Sequence, residues 1–256
     1  MRLTRCYVPA RLAPQADLLL PSGVAAHVAK VLRLRAGASL TLFDGQGGEY
    51  PATIVALERG AVRVRIGAHS AIERESPLDI RLLQCLIRAE RMDLIVQKAT
   101  ELGVTTIVPV QSHHGIVRLE PEAASRRQQH WHSIAIGACE QCGRNRLPEL
   151  LALRGFEPAC REAAAGTRLL LDPAGPQALA DALRSLIGVA PLPQLTLLIG
   201  PEGGLSDDEL ALAQQCGFAS CRLGPRVLRA ETAPIAALAA VQALLGDFGA
   251  RSVALN

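Results

Sequence analysis

Two glycine-containing turns hold the residues of this sequence that are best suited to bind a ligand. The first turn, GPEGG at 200–204, follows an apolar stretch and leads into Asp207, Asp208 and Glu209. A glycine turn after a strand often binds phosphate, but these carboxylates would repel a phosphate group. The turn also lacks the lysine and the spacing of a P-loop. A neutral or cationic ligand is therefore favoured, and the alternative is a turn that binds nothing.

The second turn lies at 223–232, in LGPRVLRAET, and it again breaks at a Gly-Pro pair. It combines apolar side chains with a pair of opposite charges, Arg229 and Glu231. Apolar walls and free backbone groups of this kind can hold an adenine ring without gripping phosphate. The two turns therefore predict one binding site to which both contribute.

The elements that must position these turns alternate between apolar strands and helices from residue 78 onward. Strands are predicted in LDIRLLQCLI, TTIVPVQS, TRLLLDP, QLTLLIG and ASCRLG, and helices at about 90–102, 122–142, 176–188, 206–216 and 232–246. A capping box of Ser206 and Glu209 begins one helix, and Thr232 is expected to cap the last one. This alternation is typical of an α/β fold with helices on both faces of a mostly parallel sheet. Ligands of such sheets bind at the carboxyl ends of the strands.

The first seventy residues differ from the rest in pattern and in charge. Short alternating runs between glycine turns, ASLTLFDG, GEYPATIVALE and AVRVRIGAHS, predict a small antiparallel barrel or sheet after a helix in GVAAHVAKVLRLR. Residues 1–70 contain nine Lys and Arg against four Asp and Glu, although the net charge of the whole chain is only +3. This basic part predicts a module that binds a polyanion, joined to the rest by the charged segment IERESP at 72–77.

Composition excludes several other classes of protein. No stretch is long enough to span a membrane, and the N-terminal residues lack the apolar core of a signal peptide. The seven cysteines are scattered, which favours reduced thiols in a cytoplasmic protein. Cys139 and Cys142 have the spacing of a metal-binding pair, but no second pair follows, so no metal is expected. The pairs His113–His114 and His130–His132 are interpreted as surface or packing residues.

Three segments, LLIGPEGGLSDDE, LGPRVLRAETA and ACEQCGRNRLPEL, connect the chain to a known family. In this order and at these distances they closely resemble the RsmE family of SPOUT-class methyltransferases, and the resemblance extends to HVAKVLRLRAG and RMDLIVQKATELGV. That family methylates uracil N3 of a uridine in 16S ribosomal RNA with S-adenosylmethionine as methyl donor. The donor carries a cationic sulfonium and no phosphate, which agrees with an acid-rich glycine turn.

The resemblance implies an organisation that periodicity alone does not predict. It implies a PUA-like RNA-binding β-barrel domain at 1–72 and, at 73–256, a SPOUT α/β domain whose parallel sheet contains a trefoil knot around the donor. It also implies a homodimer in the cytoplasm that acts on 16S rRNA or on the small ribosomal subunit. Such a threaded chain is rare enough that sequence periodicity would never suggest it.

The resemblance also assigns residues to the site. The methyl donor is expected to contact Leu170, Leu171, Leu198, Ile199, Gly200, Glu202, Gly203, Leu223, Gly224, Leu228, Arg229, Ala230 and Thr232. RNA contacts are expected from Arg2, Arg5, Lys30, Arg33, Arg35, Arg144, Asn145 and Arg146. For the GRNR turn at 143–146 the alternative is a solvated helix end. For Arg33 and Arg35 the alternative is an exposed helix face.

The chemistry of uracil limits the catalytic roles. Uracil N3 is mostly protonated at neutral pH, so methyl transfer requires loss of this proton and alignment of N3 with the methyl group and the sulfur. Arg229 or Arg144 would stabilise the resulting anion, and Glu202 or Glu231 would accept the proton. Two alternatives remain open: a methyltransferase for another RNA atom such as a ribose 2′-hydroxyl, and a non-catalytic RNA-binding assembly factor.

Overall fold

The structure is a computed structural model that describes residues 4–58, 60–163, 166–189 and 194–249. The chain forms two compact units. The first comprises Met1–Glu75 and Ile136–Leu147, and the second comprises Ser76–Ala135 and Pro148–Asn256. The sequence places the domain boundary after residue 72, whereas the first unit continues to Glu75 and also includes the GRNR turn. None of the described helices combines the length and the apolar character needed to cross a membrane.

The first unit is built on a five-stranded sheet. Its strands are β1 (Arg5–Tyr7), β2 (Asp17–Leu19), β3 (Ser39–Phe43), β4 (Tyr50–Glu58) and β5 (Ala61–Ile66), in the order β1-β3-β4-β5-β2. All neighbours are antiparallel except β1 and β3. In β5 every second residue is buried, which is the pattern expected of a sheet with one face on a core. The predicted small β-domain is therefore confirmed, and the two shortest strands, β1 and β2, are additions to it.

The predicted helix at 23–35 is shorter and less regular than expected. It consists of α1 (Ser22–Ala26) and a π-helical segment, His27–Val31. It ends because Arg33 adopts a left-handed conformation, with φ of 52°. The amide of Leu34 then donates to the carbonyl of Val28 at 3.1 Å, which closes the last turn. The alternative for Arg33 and Arg35, an exposed helix face, was therefore wrong, because both lie beyond the helix.

The second unit contains an eight-stranded, entirely parallel sheet. Its strands are β6 (Ile80–Cys85), β7 (Thr106–Gln111), β8 (Glu149–Leu150), β9 (Arg154–Gly155), β10 (Thr167–Leu171), β11 (Gln177–Ala178), β12 (Leu195–Ile199) and β13 (Ala219–Arg222). The order is β11-β13-β10-β12-β6-β7-β8, and β9 also pairs with β7. The five strands predicted from the sequence are all present. The two-residue strands escaped prediction because they are too short to show a pattern.

Helices cover both faces of this sheet, as predicted. They are α2 (Ala89–Glu101), α3 (Pro121–Cys142), α4 (Phe156–Arg161), α5 (Leu179–Arg184), α6 (Asp207–Gln215) and α7 (Thr232–Leu244). One core contains side chains of α2, α5 and α7, and the opposite core contains side chains of α4 and α6. Continuous apolar strands such as β12, in which every residue is buried, are what a sheet with two cores requires.

Helix α7 buries one of its faces in its own unit. It packs against α2 and α5. Its one buried polar side chain, Gln242, donates to the carbonyl of Leu102 at 2.8 Å and to the hydroxyl of Ser76 at 2.9 Å. Burial within the unit therefore accounts for one apolar face of this helix, whereas other apolar residues, among them Ile235, Ala239 and Leu244, remain partly exposed. Thr232 was predicted to cap this helix, but this prediction was wrong. Glu231 occupies the cap position, and Thr232 is the first residue of the helix.

The chain crosses itself next to strand β13. This strand lies between β10 and β11, so the segment at 172–176 that joins them must pass across it. The amide of Asp172 donates to the carbonyl of Cys221 at 2.9 Å, and a Cβ on Gly175 would lie only 2.8 Å from a backbone atom of Cys221. Glycine is therefore required here for the two backbones to approach so closely. The trefoil knot that the family resemblance implies requires a crossing of this kind.

Candidate active site

A cavity of about 510 Å³ opens at the carboxyl ends of the central strands of the second unit. It is lined by the ends of β10 and β12, by the turn at 200–204 and by the loop at 227–230. Strands β10 and β12 are parallel neighbours, so their carboxyl ends meet at the same edge of the sheet. The site therefore forms where the sequence predicts it, from the two turns that follow β12 and β13.

The walls of the cavity are mainly apolar side chains and exposed backbone. Leu170 and Leu171 come from β10, and Leu205 and Leu210 come from the residues that follow the glycine turn. The turn itself is closed by the amide of Gly204, which donates to the carbonyl of Pro201 at 3.0 Å with Gly204 at a φ of 74°. Such a lining suits a flat aromatic ring held by main-chain groups.

The acidic residues after the turn belong to the helix and not to a ligand. Ser206 and Glu209 form the predicted capping box at the start of α6. The Glu209 carboxylate is buried and also accepts a hydrogen bond from the backbone amide of His113 at 2.8 Å. Asp207 and Asp208 lie in the first turn of α6, where the helix dipole stabilises negative charge. These carboxylates already occupy the positive end of the helix dipole, where a phosphate would otherwise bind. This is a structural reason why a phosphate is disfavoured at this turn.

Four charged side chains surround the mouth of the cavity. Arg91, near the start of α2, lies between two carboxylates: its Nη1 is 3.1 Å from Glu202 Oε1 and its Nε is 3.5 Å from Glu231 Oε1. Arg229 Nη1 is 4.0 Å from the same oxygen of Glu231, and its side chain is 75% exposed. Arg91 was not predicted as a site residue. Its only signal in the sequence is its place at the start of RMDLIVQKATELGV, in the helix that follows β6.

Eight of the thirteen residues predicted to contact the donor line this cavity: Leu170, Leu171, Ile199, Gly200, Glu202, Leu228, Arg229 and Ala230. Leu223 lines a small adjoining recess of about 40 Å³. Leu198 is buried in the core beneath α4 and α6, and a Cβ on Gly203 would face His114 at 3.3 Å. Gly224 and Thr232 are exposed near the loop and do not line it. The lining also includes residues that sequence reasoning missed, among them Asp172, Pro173, Val227 and Ala233.

The GRNR turn lies within the first unit and is largely buried. Arg144 is 4% exposed and its Nε donates to Glu75 Oε2 at 2.8 Å. Asn145 is fully buried and its side chain donates to the carbonyl of Ile72 at 2.6 Å. The other oxygen of Glu75 accepts the backbone amides of Asn145 and Arg146, each at 3.0 Å. The segment at 72–77, which the sequence predicts to be a linker, therefore supplies the hydrogen-bond acceptors for this turn.

Arg5 belongs to the same buried cluster. It forms an ion pair with Glu49, its Nη2 donates to Asn145 Oδ1 at 2.6 Å, and its guanidinium lies 4.9 Å from the Phe43 ring centroid. This burial argues against the RNA contacts predicted for Arg5, Arg144 and Asn145. The physical reason is that carboxylates distant in the sequence, Glu49 and Glu75, already neutralise the two arginines.

The other basic residues predicted to contact RNA are differently placed. Lys30, Arg33, Arg35 and Arg146 are exposed, although Arg146 also lies 3.9 Å from Glu73. Arg2 lies outside the described residues. The positive charge of the first unit is therefore accessible on the segment that follows α1 and, through Arg63 and Arg65, on β5.

Glu49 makes the first unit sensitive to acid. Burial would raise the pKa of this carboxyl, but hydrogen bonds and charge interactions with Arg5 and Arg74 outweigh burial and lower the pKa below its ordinary value of 4.5. A carboxyl whose pKa is depressed on folding stabilises the folded state above its unfolded pKa, and this contribution is lost as the pH falls through the folded value. Glu49→Gln is therefore expected to lower stability at neutral pH and to lower it less below pH 4.5.

Urea unfolding at a series of pH values measures this difference. Asp17→Asn is the matched control, because the exposed Asp17 pairs with Arg65 at the surface of the same unit and such pairs contribute little. If Glu49→Gln lowers the free energy of unfolding equally at neutral and acid pH, the lowered pKa of Glu49 is contradicted.

Burial suppresses ionisation of three cysteine thiols, those of Cys6, Cys139 and Cys160. Burial raises the pKa of the Cys139 thiol to about 12, and its sulfur donates to the carbonyl of Arg146 at 3.6 Å. Burial likewise raises the pKa values of Cys6 and Cys160 to about 12. Across the described part of the chain, no group of three or more His, Cys, Asp or Glu side chains is arranged to hold a metal ion.

Comparison with known families matches both parts of the chain. Residues 74–242 match the family described as an RNA methyltransferase domain, and residues 20–67 match the family described as an RNA methyltransferase PUA domain. The ribosomal RNA small subunit methyltransferase E of Buchnera aphidicola from Schizaphis graminum is 31% identical over 251 residues, which cover 96% of this chain and 98% of the relative.

Solved structures of similar proteins cover nearly the whole chain. A Legionella pneumophila protein in complex with the cofactor SAM is 40% identical, with a TM-score of 0.91 over 96% of this chain and all of that one. The ribosomal RNA small subunit methyltransferase E of Neisseria gonorrhoeae, bound to S-adenosyl methionine, is 37% identical, with a TM-score of 0.86 and the same coverage. Both likenesses extend over the two units.

Proposed function

This chain belongs to the family of ribosomal RNA small subunit methyltransferase E, and we propose that it transfers the methyl group of S-adenosylmethionine to uracil N3 of a uridine in 16S ribosomal RNA. The observation that carries the proposal is the cavity at the ends of β10 and β12. Its apolar walls and glycine turn suit the adenine ring of the donor, and its carboxylates suit a ligand that is cationic at sulfur.

The relatives support the identity of the donor. Two similar proteins, at 40% and 37% identity over 96% of this chain, were solved with S-adenosylmethionine bound. The residues present here fit the same molecule, because Arg91 is shared by two carboxylates, Glu202 and Glu231, so these three side chains carry a net negative charge and do not form a phosphate-binding set. When bound, S-adenosylmethionine supplies an electrophilic methyl group.

The charged residues at the mouth supply what uracil N3 needs. Arg229 is mostly exposed beside the cavity, where its guanidinium would stabilise the uracil anion that forms when N3 loses its proton. Arg144 is buried in the first unit by Glu75, so this role is assigned to Arg229 alone. Of the two candidate proton acceptors, Glu202 lines the cavity, whereas Glu231 contacts Arg91 at the mouth and its Oε2 is buried.

We assign RNA contact in the first unit to exposed Lys30, Arg33, Arg35 and Arg146. The double change Arg33→Ala, Arg35→Ala is expected to weaken RNA binding and to reduce the slope of log affinity against log salt by about 1.5, because two phosphate contacts are lost. Filter binding at several salt concentrations measures this slope.

The matched control for this prediction is Arg63→Ala, Arg65→Ala. These two arginines are exposed on β5 of the same unit, so the loss of charge is identical. The assignment is wrong if the two double variants change the salt slope equally, since that result would indicate only a loss of general positive charge.

A homodimer in the cytoplasm, acting on 16S rRNA or on the small ribosomal subunit, is the assembly that the family resemblance implies. Helix α7 buries one face within its own unit, and its partly exposed apolar residues, among them Ile235 and Leu244, offer a surface that a second copy of the chain would cover. Light scattering of the purified protein tests the proposal, with a mass of twice 27.1 kDa expected.

The proposed reaction is tested in cells by deletion of the gene. Ribosomal RNA from the deletion strain, digested to nucleosides, is expected to lack 3-methyluridine and to regain it when the gene is restored. Loss of a ribose-methylated nucleoside would place the methyl group on a 2′-hydroxyl, and an unchanged nucleoside profile would favour an assembly factor.

A further inference from the structure

One guanidinium connects three separate segments at the mouth of the cavity. Arg91 lies near the start of α2, Glu202 lies in the turn after β12, and Glu231 lies at the end of the loop after β13. Arg91 Nη1 is 3.1 Å from Glu202 Oε1 and Arg91 Nε is 3.5 Å from Glu231 Oε1. Two neighbouring edges of the guanidinium thus bind two different loops.

Both carboxylates depend on this cation. The side chains of Glu202 and Glu231 are only 23% and 14% exposed, so water screens their charges incompletely. Without a cation between them the two negative charges would repel each other. The other arginine at the mouth, Arg229, is 4.0 Å from Glu231 and largely exposed, which makes it a weaker partner.

The second oxygen of Glu231 is enclosed by the protein. Arg91 approaches Oε1, whereas Oε2 is buried and unpaired within the described part of the chain. Because a carboxylate is rigid and planar, a contact that fixes one oxygen also fixes the direction of the other. Arg91 itself lines the cavity, as Glu202 does.

We propose that Arg91 is a positioning residue that acts through Glu202 and Glu231, holding the two donor-binding loops together at the mouth of the cavity. This inference rests on the proposed function, since it concerns the same site. Arg91 sets both the affinity for S-adenosylmethionine and the turnover number, because the two loops that it connects shape the donor cavity and align the donor with the acceptor.

The test compares three variants by calorimetry with S-adenosylmethionine and by steady-state kinetics with small ribosomal subunits from a deletion strain. Arg91→Ala is expected to weaken donor binding about tenfold and to lower kcat by a further factor of about ten, since misplaced groups cost rate as well as affinity. Arg91→Lys, which keeps the charge, is expected to recover about half of each loss on a logarithmic scale. Arg88→Ala is the matched control, because Arg88 is exposed at the start of the same helix and makes no side-chain cap.

A double-mutant cycle tests whether Arg91 acts through Glu231. Once Glu231→Gln is present, Arg91→Ala is expected to cause less than about a threefold further loss of kcat. Full additivity, or loss of activity without any change in donor affinity, overturns the positioning role. An unchanged Arg91→Ala variant with an active wild type also overturns it and leaves the proposed function intact. A wild-type protein that neither binds the donor nor methylates would instead refute the proposed function.

Discussion

Ala230→Trp is expected to weaken S-adenosylmethionine binding by at least about 100-fold while the protein stays folded. Ala230 lines the cavity from the loop that follows β13, where its side chain packs beside the apolar core. An indole at this position would occupy the space that an adenine ring needs. Calorimetry with the purified variant measures the affinity, and circular dichroism verifies the fold.

The control for this substitution is Ala219→Trp. Ala219 lies on β13, the strand that leads into the same loop, but it is exposed and does not line the cavity. Strands tolerate aromatic residues, so this variant is expected to bind the donor normally. Normal donor binding by Ala230→Trp would show that the donor binds elsewhere.

Glu75→Ala is expected to destabilise the first unit by about 3 kcal/mol, because removal of one partner from a buried ion pair leaves an uncompensated charge. Glu75 accepts the Arg144 guanidinium at 2.8 Å with one oxygen and two backbone amides at 3.0 Å with the other. One carboxylate therefore holds the whole GRNR turn. Urea unfolding followed by circular dichroism measures the loss.

Glu73→Ala is the matched control for this loss, because it removes the same charge two positions earlier. Glu73 is 39% exposed, lies 3.9 Å from Arg146 and accepts one backbone amide, that of Gly48, at 2.6 Å, so its removal is expected to cost about 1–2 kcal/mol, less than that of Glu75. If the two variants are equally stable, the GRNR turn is held by other contacts and its arginines become candidates for RNA binding again.

The parts of the fold that sequence predicts are those fixed by neighbouring residues. The strand at Leu195–Ile199 is a continuous apolar run, and the capping box of Ser206 and Glu209 is a pattern within four positions. Both give a local signal, so both were predicted correctly. The two turns of the site followed from the same logic, because parallel strands place their carboxyl ends together.

The parts that escaped prediction depend on contacts between distant positions. Arg144 looks like a solvated cation until Glu75, 69 positions earlier, is found beside it. Arg91 gives no local sign that it lies between Glu202 and Glu231. The sequence likewise gives no signal for the left-handed conformation of Arg33, because this conformation favours glycine and not arginine. Family resemblance supplied the knot and the donor, which no local pattern contains.

Methyl transfer in a purified system tests the proposed activity most directly. The protein is incubated with isotope-labelled S-adenosylmethionine and with small ribosomal subunits from a deletion strain, and the RNA is digested to nucleosides for mass spectrometry. We predict labelled 3-methyluridine with the wild type and none with Ala230→Trp. Label in a ribose-methylated nucleoside, or no transfer of label by a wild-type protein that binds the donor, would contradict the assignment of this site to uracil N3 methylation.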